Sequence, residues 1–293
     1  MNANHLPQFN MLNLAHRIQP MPTQLEKAKI HQHTVRLRLS KVFDVARVVQ
    51  IGSHARETAI RDFSDLDLLG VLKRDEARWG GGLVSSATVL ARFIDELIGR
   101  FPNTAIGRDG MAVAVWFSAT QQSLDVVPAI FHRFDRHRPV YLIPNGKGDW
   151  METSPEVHDL YFKQADARSQ GKLRKVSQLL KWWKFCRASP IPISSFHLDM
   201  LLAASGICVG VKSYSQCLYL AFKLLHERGC RGLHDPCGVA GTIYAASTES
   251  KWGQLVSAVA YSLDHAQAAL AAEAVGDKFE ANRQWNIVFN GGF

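Results

Sequence analysis

The sequence predicts an α/β half followed by a half that is mostly α-helical. Two observations indicate this division. Up to residue 131, short apolar segments of strand length alternate with amphipathic segments. From residue 157 onward, apolar residues recur mainly at helical spacing. We therefore predict two domains, one of residues 1–150 and one of residues 151–293.

Each predicted element of the first half has its own signal. Helix-favouring residues after Pro22 predict a helix over 22–43, and apolar residues at helical spacing predict another over 85–101. The segment 132–156 is rich in Pro, Gly and polar residues, so we expect a crossover there. Short apolar runs predict strands over 48–51 (VVQI), 65–72 (DLDLLGVL), 111–117 (MAVAVWF) and 124–131 (LDVVPAIF).

The second half contains an amphipathic helix over KLRKVSQLLKWWKF, residues 172–185. Its apolar residues form one stripe, and Arg174, Gln178 and Lys181 fall on the other side. On spacing alone, this other side is interpreted as a solvated basic face. We expect helical structure to end near Phe279, before a short tail that includes WNIVFNGGF.

The composition is that of an ordinary soluble protein with a basic balance. The chain has 293 residues, 47% hydrophobic and 20% charged, with a net charge of +8. This charge favours polyanionic partners such as nucleotides, nucleic acid or acidic lipid. No apolar run approaches the ~20 residues that span a bilayer, and the N-terminal segment lacks the apolar core of a secretory signal. Five cysteines without CxxC spacing favour a reduced compartment, so we expect a cytoplasmic protein.

Two carboxylates two residues apart, Asp65 and Asp67, stand in the apolar segment DLDLLGVL. Residues two apart on a strand point to the same face, so the two charges repel unless a cation binds between them or one carboxyl is protonated. A hard cation such as Mg²⁺, or Mn²⁺ in its place, prefers carboxylate oxygens. Asp125, in another predicted strand, is the candidate third ligand of a two-metal site for phosphoryl transfer.

Gly52 and Ser53 follow a predicted strand and predict a phosphate-binding turn. Glycine permits close approach of the backbone to a phosphate, and Ser53 adds a hydroxyl donor. Neither this pair nor Asp–x–Asp is specific alone. Their combination, followed by a distal strand aspartate, indicates nucleotide and metal binding.

This combination resembles the nucleotidyltransferases of the DNA polymerase β-like superfamily. Within it, the chain is similar to the bacterial cyclic-oligonucleotide synthases, the relatives of cyclic GMP-AMP synthase and oligoadenylate synthase. The similar segments, from about residue 30 to the end, are GSHARETAIRDFSDLDLLGVL, LDVVPAI, IPNGKGDWMETSPEVH, RKVSQLLKWWKF, SSFHLDML, LHDPCGVAG and WNIVFNGGF. Many relatives have Gly-Thr where this chain has Glu57 and Thr58, which could alter the loop or repel phosphate.

The resemblance implies a bilobal enzyme: a polymerase-β-like core of mixed sheet and helices, then a C-terminal helical domain across a central cleft. It implies that nucleoside triphosphates are joined into a cyclic di- or trinucleotide with release of pyrophosphate. The product would be a second messenger that activates a separate effector in anti-phage defence. It further implies that Lys181 contacts the triphosphate or base and that Ser195 lies near the phosphates. We expect neither a membrane nor nucleic acid to be needed.

Three alternatives stay open. The acceptor could be a protein, an RNA 3′ end or a small molecule, or the chain could be a non-catalytic nucleotide-binding module. Separately, HERGCRGLHDPC offers four potential zinc ligands, although their spacing lacks CxxC. These ligands are His226, Cys230, His234 and Cys237.

Overall fold

The structure is a computed structural model that describes residues 6–117 and 123–293, and these separate into two units. The sheet unit is Pro20–Leu160. The helical unit consists of the described residues up to Gln19 together with Tyr161–Phe293. The boundary predicted at residue 150 therefore differs from the observed one, because residue 150 begins the last strand of the sheet unit.

The described elements follow one another in this chain order. They are α1 (Pro7–Arg17), α2 (Pro22–Val42), β1 (Val45–Ile51), α3 (Gly52–Ala55), β2 (Leu66–Leu72), a 3₁₀ turn (Arg74–Ala77), β3 (Arg78–Trp79), β4 (Gly82–Leu83), α4 (Ser86–Arg100), β5 (Ala105–Asp109), β6 (Ala112–Trp116), β7 (Ser123–Asp135), β8 (Arg138–Pro144), β9 (Trp150–Thr153), α5 (Pro155–Arg168), α6 (Lys172–Phe185), α7 (Ser195–Ser205), α8 (Tyr214–Glu227), β10 (Leu233–His234), β11 (Thr242–Ile243), α9 (Glu249–Ala274) and α10 (Lys278–Val288).

The sheet unit is built on a mixed sheet with the strand order β1-β2-β7-β6-β5. Strand β7 is long enough to pair also with β8 further along its length, and β8 in turn pairs with β9. The pair β2–β7 is parallel, whereas the other described pairs of this sheet are antiparallel. The parallel pair requires a long connection, which the chain makes through α4, β5 and β6.

The two faces of the sheet carry different residues because side chains alternate along each strand. Leu66 and Leu68 point to the face that packs against α2 and α4, where Leu39 and Phe93 belong to the same apolar cluster. The opposite face carries a smaller apolar cluster that includes Leu69, Val71, Ala129, Tyr141 and Ile143. The odd-numbered positions of β2 and β7, and therefore both strand aspartates, lie on this second face.

Helix α4 illustrates how sequence signals set an element. The Ser85 hydroxyl accepts a hydrogen bond from the Thr88 N–H and caps the helix. Its apolar stripe, including Val89, Phe93 and Leu97, is fully buried. Burying each such side chain stabilises the fold by about 1.5–3 kcal/mol. The helix therefore begins at its polar cap and packs along its apolar face.

The helical unit brings distant parts of the sequence together. Helix α1 contacts α6, α8 and α10, and the Asn10 amide donates to Asn282 Oδ1 at 2.9 Å. In the core, Trp183 packs edge-on against Phe222 and donates from its indole N–H to Ser262 Oγ at 2.8 Å. Residues 6–19 were predicted to belong to the first domain, but α1 buries Met11 and Leu14 and groups with the C-terminal helices instead.

Buried charge is also part of the helical core. Lys181 Nζ lies 2.9 Å from Asp199 Oδ2, and the two side chains are 2% and 0% exposed. The Ser177 hydroxyl donates to the other carboxylate oxygen at 2.5 Å. The interpretation of Lys181 and Gln178 as part of a solvated basic face is therefore wrong, because both are buried. Asp199 thus takes part in a buried salt bridge.

Most predicted elements occur within a few residues of their predicted limits, and two predictions of secondary structure are wrong. The crossover expected over 132–156 contains the end of β7, the strands β8 and β9 and the start of α5. The tail expected after Phe279 is instead helical as far as Val288 in α10, and Trp285 is fully buried. Among the described residues, no helix combines the length and apolar character that crossing a membrane requires.

The buried ion pair of the helical unit should control its stability. Asp199→Ala leaves the Lys181 ammonium buried without its carboxylate, so the free energy of unfolding should fall by about 3–5 kcal/mol. Urea denaturation measures this change. Glu227→Ala is the matched control, because it removes the exposed partner of Lys223 and should cost at most about 0.5 kcal/mol. Equal losses in the two variants would contradict this account.

Candidate active site

The candidate site begins where β1 ends and the chain turns at Gly52. This residue has φ +74°, a left-handed conformation that favours glycine. It opens the single turn of α3, in which the Arg56 N–H donates to the Gly52 carbonyl at 3.2 Å. The Thr58 N–H then donates to the Ser53 carbonyl at 2.9 Å. Gly52 and Ser53 therefore stand at the start of a tight turn, as the sequence predicts for a phosphate-binding segment.

Gly52 also lies directly against the carboxylate of Asp67. In the β1–β2 pairing, Ile51 is opposite Asp67, so the turn begins beside that aspartate. A Cβ atom on Gly52 would be 1.9 Å from Asp67 Oδ2 and 2.7 Å from its Cγ. Both the backbone conformation and the space beside it therefore require glycine here.

The three predicted carboxylates meet at one place on the sheet. The parallel pairing of β2 with β7 puts Asp67 opposite Asp125. Asp65 immediately precedes β2, and its Oδ1 accepts a hydrogen bond from the Ser123 N–H at 3.2 Å. The Ser123 hydroxyl in turn donates to Asp125 Oδ1 at 3.1 Å. Ser123 thus donates hydrogen bonds to the carboxylates of both Asp65 and Asp125.

The electrostatics of this cluster disfavour full ionisation. The pKa of Asp125 is raised from its ordinary 3.8 to about 6, mainly because the carboxyl is buried and next because Asp65 is close. The hydrogen bond from Ser123 opposes this shift, and Asp109 contributes a further raising effect. A cation bound among the carboxylates would relieve the repulsion. The donor set, carboxylate oxygens on one face of a sheet, fits a hard divalent cation such as Mg²⁺ or Mn²⁺.

Glu57 does not prevent the turn from forming. It adopts φ +59°, again the left-handed conformation that glycine favours. A non-glycine residue in this conformation costs roughly 1–2 kcal/mol. The next residue, Thr58, is fully buried. The backbone here therefore takes a glycine-like path, and the Glu57 side chain is exposed.

The remaining predicted nucleotide ligands belong to the helical unit. Lys181 is buried in its ion pair with Asp199. Ser195 is the first residue of α7, and its hydroxyl accepts a hydrogen bond from Lys184 Nζ at 3.3 Å. The structure brings Gly52, Ser53 and the three aspartates together within the sheet unit. Nucleotide binding by Lys181 and Ser195 stays a prediction.

The alternative zinc site is not formed. All four candidate residues lie in described parts of the chain, and their ligand atoms do not come within 4.8 Å of one another as a group. His226 and His234 are exposed, whereas Cys230 is buried, and burial raises the pKa of its thiol to about 11. A protonated, buried thiol is a poor metal ligand. Asp235 instead orders the loop, because its carboxylate accepts the backbone N–H groups of Cys237, Val239 and Ala240.

Two residues that contact the site or the end of its turn were not singled out from the sequence. Ser123 was not predicted, although its position two residues before Asp125 places it on the same face of β7. Arg56 was not predicted either, and its NH1 lies 2.8 Å from Asp159 Oδ1 on α5. The sequence does contain a signal for the partner of Arg56. Glu156 and Asp159 are three residues apart on α5, a spacing that places two acidic residues on one helix face.

The fold and the converging carboxylates are those of a nucleotidyltransferase, and comparison with known proteins identifies the family. The profile of the Second Messenger Oligonucleotide or Dinucleotide Synthetase (SMODS) domain matches residues 7–165, more than half of the chain. The chain belongs to this family. The resemblance and the enzyme class that the sequence predicts are thereby confirmed.

Individual relatives are distant in sequence. A probable cyclic nucleotide synthase of Bacillus cereus (strain VD146) is 20% identical over 287 residues, covering 86% of this chain and 84% of that protein. The cyclic AMP-AMP-AMP synthase of Escherichia coli (strain MS 115-1) is 25% identical over 167 residues, covering 55% of this chain and 50% of that protein. The structure of E. coli MS115-1 CdnC with ATP superposes with a TM-score of 0.75 at 21% identity, covering 98% of each chain. The predicted fold class, a polymerase-β-like core, is confirmed by this likeness.

Replacement of Gly52 should displace the adjacent carboxylate. In Gly52→Ala the new methyl group collides with Asp67, so the affinity for Mn²⁺ should fall by about 10–100-fold. Isothermal titration calorimetry measures this affinity. Gly81→Ala is the matched control, since Gly81 also has positive φ (+87°) but no atom within 4 Å of the added Cβ. An unchanged affinity in Gly52→Ala would show that Asp67 is not a ligand.

The raised pKa of Asp125 predicts a pH-dependent stability difference. The ionised carboxylate is disfavoured in the folded state, so without metal the wild type loses stability as pH rises from about 4 through 6. Asp125→Asn avoids this loss. After chelator treatment, the free energy of unfolding of Asp125→Asn should be higher than that of wild type by roughly 1–3 kcal/mol at pH 8. The two free energies should converge near pH 4.

Denaturant titrations at several pH values measure the effect of Asp125. The exposed Asp75, substituted as Asp75→Asn, is the control and should show no pH-dependent difference. Added Mg²⁺ should restore wild-type stability selectively. A difference for Asp125→Asn that is the same at all pH values would contradict the electrostatic explanation.

Proposed function

We propose that this chain is a metal-dependent nucleotidyltransferase that joins nucleoside triphosphates into a cyclic di- or trinucleotide and releases pyrophosphate. The observation that carries the proposal is the meeting of Asp65, Asp67 and Asp125 beside the Gly52–Ser53 turn. Membership in a family of second-messenger synthetases supports the same reaction. The E. coli relative named cyclic AMP-AMP-AMP synthase makes ATP the first substrate to test.

The aspartates have distinct parts in this reaction. Asp65, Asp67 and Asp125 would hold the divalent cation, which, when bound, supplies charge neutralisation for an in-line phosphoryl displacement. As a ligand of that cation, Asp125 would also help to activate the attacking ribose hydroxyl.

The turn would hold the donor nucleotide. Backbone N–H groups at Gly52 and Ser53, together with the Ser53 hydroxyl, are suited to bind triphosphate oxygens. Lys181 and Ser195 are proposed as further nucleotide contacts. For Lys181 this would require exchanging or sharing its present partner, Asp199. Catalysis of this kind rests on positioning and charge stabilisation rather than on a covalent intermediate.

The biological setting is part of the proposal. The cyclic product would act in the cytoplasm as a second messenger that activates a separate effector during bacterial anti-phage defence. This setting follows from the family resemblance rather than from the geometry of the site. It requires neither a membrane nor nucleic acid as a partner.

Product analysis tests the reaction. Purified protein is incubated with all four α-³²P-labelled nucleoside triphosphates and Mg²⁺ or Mn²⁺, treated with phosphatase and separated by thin-layer chromatography. Wild type should give a phosphatase-resistant product, and mass spectrometry should show that it is cyclic. Omitting one nucleotide at a time then identifies the bases.

Variants make the test specific to the carboxylates. Asp67→Ala should lower turnover by at least about 100-fold without unfolding the chain, because transition-state charge is no longer stabilised. Asp75→Ala, at an exposed aspartate of the same unit, should keep wild-type turnover. Near wild-type activity in Asp67→Ala would reject the proposed site. Transfer of label to an added protein, RNA or small molecule, without a cyclic product, would identify another acceptor.

A further inference from the structure

A buried ion pair lies immediately beside the proposed phosphate-binding turn. Arg56 is the residue after α3, and its NH1 lies 2.8 Å from Asp159 Oδ1 on α5. The two side chains are 6% and 11% exposed. Neither residue is among the aspartates, glycine and serine that constitute the proposed site. The pair connects the end of the turn to a helix that is distant in sequence.

The turn has little support of its own. Helix α3 has four residues, and no side chain caps its N-terminus. Two residues of the segment, Gly52 and Glu57, adopt left-handed conformations. Short helices are marginal without tertiary contacts. The position of the Gly52 and Ser53 N–H groups must therefore be set by contacts with the surrounding structure.

Contacts on both sides of Arg56 show where that support lies. Before it, Gly52 packs against Asp67. After it, Thr58 and Ile60 are fully buried, and the Ile60 N–H donates to Ser64 Oγ at 2.9 Å. Between these fixed points, the Arg56 side chain donates a hydrogen bond to Asp159 on α5 and so joins the turn to another element. This contact is charge-assisted and buried, the kind that is both strong and directional.

We propose that Arg56 and Asp159 are positioning residues, which hold the Gly52–Ser53 turn where its N–H groups meet the triphosphate. This inference rests on the proposed function of the same site. Arg56 acts through the backbone of the turn, since its guanidinium is buried against Asp159 and the pair is neutral overall. Its contribution is therefore to geometry, and its removal should impair both nucleotide binding and turnover in a folded protein.

The experiment compares two acidic residues of α5. Asp159→Asn keeps the size of the side chain and removes the charge that faces Arg56. Glu156→Gln is the matched control: Glu156 forms an ion pair with Arg47 of β1 and accepts a hydrogen bond from Tyr141 at 3.1 Å. Both acids therefore join the same helix to neighbouring structure, but only Asp159 contacts the residue that ends the turn.

The expected kinetic result separates positioning from stability. Misplacement of a binding group by about 1 Å costs up to about 100-fold, so kcat/KM for ATP should fall 10–100-fold in Asp159→Asn. Glu156→Gln should stay within about threefold of wild type at a temperature where both variants are folded by circular dichroism. Arg56→Met should match Asp159→Asn, and Arg56→Lys, which keeps a charged contact, should recover part of the loss.

Two further readouts do not require turnover. Hydrogen exchange of the amides of residues 53–58 should quicken at least tenfold in Asp159→Asn and not in Glu156→Gln. The Kd of a non-hydrolysable ATP analogue with Mg²⁺ should rise in parallel. If folded Asp159→Asn matches Glu156→Gln in kinetics, Kd and exchange, the inference is overturned.

These readouts separate the two proposals. A wild type that makes no product under any condition defeats the proposed function, while hydrogen exchange and the Kd of the analogue still decide the role of the pair. An active wild type with unaffected Asp159→Asn defeats the positioning role alone. Loss of stability without loss of kcat/KM assigns the ion pair to folding only and also rejects the inference.

Discussion

The candidate site depends on the parallel pairing of β2 with β7. This pairing places Asp67 opposite Asp125, and it is the parallel one among the described pairs of the main sheet. The register of this pairing is fixed by the apolar face of the sheet. The side chains buried against the helices on that face are Leu66, Leu68, Leu124 and Val126. A slip of one residue would turn these side chains to the wrong face. The hydrophobic core therefore determines where the carboxylates lie.

Such a core can impose an arrangement that is electrostatically unfavourable. Three carboxylates gathered on one face repel one another, and partial burial adds to the cost, as the raised pKa of Asp125 shows. Glycine at position 52 has no side chain at the point where one would collide with Asp67. Stability gained on the apolar face of the sheet thus offsets the cost of a site prepared for a cation and a triphosphate on the other face.

Local sequence signals were sufficient for the strands of the site and for its three aspartates. Asp65, Asp67 and Asp125 could be proposed as a site without coordinates because they stand within apolar runs and follow Gly52 and Ser53, a combination that is more specific than either motif alone. The strands β8 and β9 were missed because Pro139, Pro144 and the glycines near them resemble a loop. The partners of Arg56 and Lys181 could not be predicted, since Asp159 and Asp199 are 103 and 18 residues away in the chain. Pairings of this kind depend on the assembled fold rather than on spacing.

The division of the helical unit between the two ends of the described chain has a consequence for synthesis on the ribosome. The sheet unit is continuous in sequence and can fold as soon as it has emerged. Helix α1 emerges earlier, yet Asn10 bonds to Asn282, 272 residues later, and its buried apolar residues contact helices made afterwards. Closing so long a loop is slow because its entropy cost comes before any contact is gained. Although α1 is the first described helix, it is therefore expected to be among the last elements to pack.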